Sequence, residues 1–151
     1  MRFWDSSAIV PLLLRQPQTV EVRAVLDEDD GMVVWWSSPT ECASAFARLR
    51  RDGSLEIAAE SQILLLLRDL SESWHEVRPT EDVRALSLRL LRTHPLRAAD
   101  ALQLAAALSW VGRPQGEVLV TCDERLATAA RLEGFTVVPA SGSMSPMRSS
   151  S

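Results

Sequence analysis

A chain of 151 residues, 46% hydrophobic and 24% charged, has the size and composition of one soluble globular domain with a real core, and is too short for two comfortable ones. A net charge of −4 argues against a surface that is one continuous nucleic-acid footprint. All 16 basic residues are arginine, so any mechanism that needs a lysine is excluded.

Residues 1–5 read as a buried strand and 6–14 as a short helix, with Asp5 at the hinge and Pro11 predicting a kink or break. Gln16-Pro17-Gln18 is a connection. Val20, Val22, Val25 and Leu26 mark a helix over 19–28, and Asp29-Asp30-Gly31 turns the chain into an apolar strand at 32–36. Ser38-Pro39-Thr40-Glu41 opens a helix that runs to about Arg51; Asp52-Gly53-Ser54 ends it and starts a leucine-dense helix over 55–72. A short strand follows at 74–77, then helices over 80–93 and 97–110 separated by His94-Pro95. The chain continues with a strand at 117–121, a helix at 123–133 and a strand at 135–138. Nearly all-apolar strands alternating with helices mean an α/β domain with a mainly parallel sheet, here over residues 1–139. The serine-rich stretch 140–151 reads as a disordered tail.

The apolar runs at 63–67 and 104–108 fall far short of the roughly 20 residues of a membrane span. Asp5 and Arg15 interrupt any secretory pattern, so a cytoplasmic protein is expected. Cys42 and Cys122 belong to no CxxC pair and read as small hydrophobes. His75 and His94 lack zinc spacing.

The informative residues are four carboxylates at strand–helix junctions. Ligands of a parallel α/β sheet bind beyond the carboxyl ends of its strands. Asp5 ends the first strand, Glu41 lies in the first helical turn after the second, and Asp123 begins the helix after the fourth. Asp100 lies in the first turn of the helix that feeds the fourth strand, and this helix starts at the same rim. Each acid also has a structural reading. Ser38-Pro39-Thr40-Glu41 fits a capping box, Asp100 complements a helix dipole, and Asp5 and Asp123 are good N-caps. Together, clustered acids raise one another's pKa unless a cation compensates. Hard oxygen ligands suit magnesium or manganese, which activate water without a protein nucleophile.

Four stretches carry a resemblance: Phe3-Trp4-Asp5-Ser6-Ser7-Ala8, Ser38-Pro39-Thr40-Glu41 with its helix, Leu96-Arg97-Ala98-Ala99-Asp100-Ala101-Leu102-Gln103-Leu104-Ala105, and Val120-Thr121-Cys122-Asp123. In order, spacing and length, residues 1 to 139 resemble the PIN domain, and more narrowly the VapC-type ribonuclease toxins of toxin–antitoxin pairs. The resemblance implies a three-layer α/β/α domain with a five-stranded sheet in the order 3-2-1-4-5, and Mg2+- or Mn2+-dependent endonucleolytic cleavage of RNA. It maps the catalytic and metal site onto Asp5, Glu41, Asp100 and Asp123, with Ser6 and Thr121 as small polar neighbours. It also implies a homodimer and a cognate antitoxin that inserts a basic side chain into the acidic site.

Arg15, Arg97 and Arg125 are the arginines expected near the rim, as phosphate contacts or as ion-pair partners. Arg48, Arg50 and Arg51 read as a solvated face, and Trp35 and Trp36 as core, with the sheet rim, where a ring could stack on a base, as the exception. The leucine-rich helix at 55–72 is core, a dimer face or an antitoxin seat. A haloacid-dehalogenase-type phosphotransferase is excluded by Ser7, where a second aspartate is needed, and by the missing lysine. The same lysine excludes a response-regulator receiver. No glycine-rich fingerprint for a dinucleotide follows the first strand. The alternatives are a PIN-like module that binds RNA or protein without cutting, and a non-toxin RNA-processing nuclease.

Overall fold

The structure, a computed structural model, describes residues 1–140. Apart from Ala140, the tail expected at 140–151 lies outside the described residues. The elements are β1 (Arg2–Trp4), α1 (Ser6–Leu13), α2 (Thr19–Glu28), β2 (Met32–Trp35), α3 (Ser38–Arg51), α4 (Ile57–Ser71), β3 (His75–Val77), α5 (Glu81–Thr93), α6 (Ala98–Val111), β4 (Val118–Val120), α7 (Glu124–Leu132) and β5 (Thr136–Val138). The strands form one sheet in the order β3-β2-β1-β4-β5, and every neighbouring pair is parallel. This is the expected α/β architecture.

Successive side chains of a strand point to opposite faces, and the sheet separates two cores accordingly. Phe3, Val33, Trp35, Leu119 and Val137 pack against Val83 and Leu90 of α5, Leu104 of α6 and Leu126 of α7. Trp4, Met32, Val34 and Val120 pack on the other side against Ile9 of α1, Val22 of α2, Phe46 of α3 and Ile63 of α4. Both faces of the central strands are therefore covered, which explains why β1 and β2 read as unbroken apolar runs. The alanines of α6 have a steric role. Ala101, Ala105, Ala106 and Ala107 are fully buried, and their small side chains let α6 pack against α5, α7 and the sheet together. That packing carries the N-terminal turn of α6 to the rim where β1 and β4 end.

Three local expectations differ from the structure. Helix α1 continues through Pro11 to Leu13 instead of breaking there. Helix α3 has Ser37 as its N-cap, so Ser38 is already helical and does not cap. Trp35 is core, but Trp36 is 51% exposed. It stands one residue beyond the last paired row, Trp35 with Val77, and its N–H reaches the Val77 carbonyl at 3.1 Å at the sheet's carboxyl edge. No described helix is long and apolar enough to cross a membrane.

Candidate active site

Asp5 leaves β1 in extended conformation and caps α1. Its N–H donates to the Val120 carbonyl at 2.9 Å, which locks the end of β1 to the end of β4. The side chain is almost wholly buried, and one oxygen, Oδ2, takes three donors. These are the Ser7 N–H at 3.3 Å, the Ser7 hydroxyl, and the Thr121 hydroxyl at 2.9 Å. The other oxygen, Oδ1, has only the Ser6 hydroxyl at 3.5 Å, the outer limit of a hydrogen bond.

The proton count of this cluster closes. A hydroxyl has one proton to give, and Ser7 and Thr121 both give theirs to Asp5. Each then accepts a backbone N–H, Ser7 from Cys122 and Thr121 from Asp123, both at 3.0 Å. The 3.1 Å contact between the two hydroxyls follows from their sharing one carboxylate oxygen. Asp5 is thus held firmly by one oxygen and only weakly by the other.

Glu41 sits in the first turn of α3, but the capping-box reading fails for it. Its carboxylate does not return to the backbone N–H of the N-cap Ser37; Oε2 accepts from Gln103 Nε2 at 2.7 Å and from the Ser37 hydroxyl at 3.4 Å. Gln103, on α6, also donates to the Ser38 hydroxyl at 3.0 Å. It is 1% exposed, and its Oε1 has no partner. Asp123 does act as a cap, since its Oδ1 accepts the Leu126 N–H at 3.0 Å. Asp100 is the third residue of α6 and is half-buried at the rim.

The four acids share one electrostatic field. Burial raises the pKa of Asp5, and Asp123 adds to the rise. Burial pushes Glu41 up to about 7, with Asp5 and then Asp100 contributing. Asp100 is raised by burial and by Asp123, against an opposing pull from Arg97 and Arg125. Among the described residues, none of the four forms a salt bridge. Such a set is short of positive charge. The surroundings disfavour a cysteine nucleophile, because burial and then Asp5 push the Cys122 thiol up to about 11.

Among the described residues no three acidic, histidine or cysteine side chains are gathered closely enough to enclose an ion. Magnesium does not require that, since it typically binds through one or two carboxylates and keeps several waters. The donor chemistry therefore fits a hydrated hard cation, which Asp5, Glu41, Asp100 and Asp123 would hold.

Two clefts border the acids. One, of about 580 Å³, includes Ser6, Ser7, Glu41 and Arg48 in its lining. The other, of about 520 Å³, includes Arg97, Asp100, Asp123 and Arg125. The larger cleft of about 770 Å³, with Asp82, Arg89 and Glu133 in its wall, contains none of the four acids.

All four predicted acids stand at this rim, and Thr121 touches Asp5. Ser6 is only marginally in contact, whereas Ser7, one position on, is the strong partner. The signal was present, because an N-cap carboxylate typically accepts from the second or third helical residue, and Ser7 is the second. Gln103 was also passed over. A polar side chain one turn after Asp100, inside an otherwise alanine–leucine helix, was the clue.

The profile of the PIN domain family matches residues 2–132. The ribonucleases VapC45 and VapC49 of two Mycobacterium tuberculosis strains are each 35% identical over 141 residues, covering 91% of this chain and 94% of theirs. Among solved structures, VapC20 of M. tuberculosis, described as a toxin that cleaves the sarcin–ricin loop, superposes with a TM-score of 0.62 at 16% identity. It covers 85% of this chain and 95% of its own. A toxin–antitoxin complex from Klebsiella pneumoniae gives 0.62 at 14% identity, covering 90% of this chain and 96% of that one. Parallel topology, motif order and sequence similarity over nine-tenths of the length agree: the chain belongs to the PIN domain family, and within it to the VapC group.

Proposed function

We propose that this protein is a Mg2+- or Mn2+-dependent endoribonuclease, the toxin of a VapBC-type toxin–antitoxin pair. One observation carries the reading: Asp5 is buried with Oδ2 held by three donors and Oδ1 only weakly engaged, in the field of three further acids, and among the described residues none of the four forms a salt bridge. A stable core does not need that arrangement, and a metal site does. The relatives named as ribonucleases supply the reaction class, and the solved toxin–antitoxin complex supplies the kind of partner.

A bound divalent ion supplies an acidified water and a Lewis acid for the phosphoryl oxygen. The chain's own part is positional and electrostatic. Ser7 and Thr121 fix the Asp5 carboxylate, and Gln103 fixes that of Glu41. Asp100 and Asp123 complete the negative rim. A partner antitoxin and a second copy of the chain belong to the same reading, as does action on RNA in the cytoplasm.

The test is cleavage of a structured RNA pool by the purified protein with magnesium, with manganese and with chelator, beside Asp5→Asn and Asp100→Asn. Cuts that require metal and vanish in both folded variants are expected. A folded, antitoxin-free protein that binds RNA and cuts none would favour the non-catalytic binding module instead.

A further inference from the structure

The cleft beside Glu41 contains a cation that the acidic site does not use. Glu41, Ser44, Ala45 and Arg48 line it from α3 at the spacing of one helical face, and Ser6, Ser7, Val10 and Gln16 form the opposite wall. Arg50, two residues on, is held by Glu60 at 2.7 Å and is not available. Arg48 has no hydrogen bond or ion pair from its side chain among the described residues. Arg97 and Arg125 differ from it, because they already lower the pKa of Asp100 in the other cleft.

We infer that the cleft from Glu41 to Arg48 seats the sugar–phosphate backbone of the RNA strand, with Arg48 holding a phosphate to one side of the cut. The inference rests on the proposed nuclease activity and extends it to a substrate path. An acidic rim on a chain of net charge −4 repels RNA, so the strand needs a positive anchor next to the metal site. Seven positions of helix place the Arg48 backbone roughly 10 Å from that of Glu41. Helical side chains lean toward the N-terminus, which brings the guanidinium back along the cleft toward the acids. Ser44 lies between the two on the helix, and Thr40 and Gln16 also line the cleft, uncharged groups suited to phosphate and ribose oxygens. Arg48 is exposed, as expected of a solvated face, and so is Arg51 at the end of the same helix; the difference between them is that Arg48 lines this cleft and Arg51 does not.

The experiment is an anisotropy titration of a labelled single-stranded RNA pool with magnesium present, using Asp5→Asn protein to prevent cutting. Arg48→Ala and Arg51→Ala are each added to that background and remove the same charge. Arg48→Ala should weaken binding roughly tenfold and lower the slope of log affinity against log salt by about 0.7, one phosphate contact on a single strand. Arg51→Ala should change binding less than twofold. Equal losses for the two would mean a net-charge effect and overturn the inference, as would no loss for Arg48→Ala. In otherwise wild-type protein Arg48→Ala should raise KM and leave kcat nearly unchanged, which decides the matter if the Asp5→Asn background binds too weakly to titrate. A wild-type protein that neither binds nor cuts RNA would refute the nuclease reading itself. A protein that cuts RNA with a KM indifferent to Arg48 would refute only this path.

Discussion

Gln103 on α6 donates its side-chain amide to Glu41 on α3 at 2.7 Å, joining two helices that meet at the mouth of the site. The orientation suits an ionised Glu41, whose carboxylate can only accept, and the Ser38 hydroxyl lies on the same nitrogen. The amide oxygen is then left buried with no donor. An apolar residue there would avoid that cost, so the amide is best explained by what it does for Glu41.

Gln103→Leu is accordingly expected to change folding stability by no more than about 1 kcal/mol, since it removes a hydrogen bond and an orphaned oxygen together. Affinity for manganese, read by calorimetry, should fall by roughly 10- to 100-fold, as is usual when the partner that orients a metal ligand is lost. Unchanged metal affinity would show that the amide only fills space.

Ser6 and Ser7 are chemically identical neighbours with opposite expected weights. Ser7 donates to Asp5 and accepts from Cys122, tying β1 to the loop after β4, whereas Ser6 has one contact at 3.5 Å. Ser7→Ala leaves a buried N–H and a carboxylate oxygen short of partners and should cost about 1–3 kcal/mol in denaturant unfolding, with a clear loss of cleavage rate. Ser6→Ala should stay within about 0.5 kcal/mol. Equal effects from the two substitutions would contradict the hydrogen-bond accounting.

These contrasts mark what was legible in the chain. Strand order and the rim positions of Asp5, Glu41, Asp100 and Asp123 followed from apolar runs punctuated by acids, because parallel topology sends such junctions to one edge. Ser7 and Gln103 were harder to find because their roles depend on distant contacts, Thr121 with Cys122 for one and Ser38 with Glu41 for the other. Hydropathy does not encode which hydroxyl of a pair turns inward. Trp36 was misread for a related reason: the apolar run continues past the last paired row, and composition does not reveal where the ladder stops.

Away from the site, Glu133 accepts from Arg89 Nη2 at 2.8 Å and contacts His94 Nε2 at 2.8 Å, tying both ends of this pairing on α5 to the end of α7. The Arg89 hydrogen bond, then that of His94, holds its carboxyl below the usual range, so its stabilisation is present above 4.5 and fades as pH falls through the lowered value. Glu133→Gln should cost about 1–2 kcal/mol near neutral pH in urea unfolding. RNA cleavage below the melting range should be untouched, which separates a stability effect from a site effect.

Glu41 titrates with the opposite sign. Its pKa is raised from 4.5 to about 7, chiefly by burial and then by Asp5, so the folded protein holds a proton there that the unfolded chain has released. The stability linked to this group is fully present below 4.5 and is lost as pH rises toward 7. Asp5 and Asp100, also raised, push the same way from 3.8. On the metal-site reading a divalent ion would reverse the trend, because it would bind the deprotonated acids and stabilise the state that holds them. In chelator, Glu41→Gln should therefore melt higher than wild type at about pH 8, with the difference shrinking toward about pH 5. Magnesium should raise the wild-type melting temperature at the higher pH much more than at the lower, and should raise that of Glu41→Gln less. A melting difference between the two proteins that ignores both pH and magnesium would remove Glu41 from the metal site.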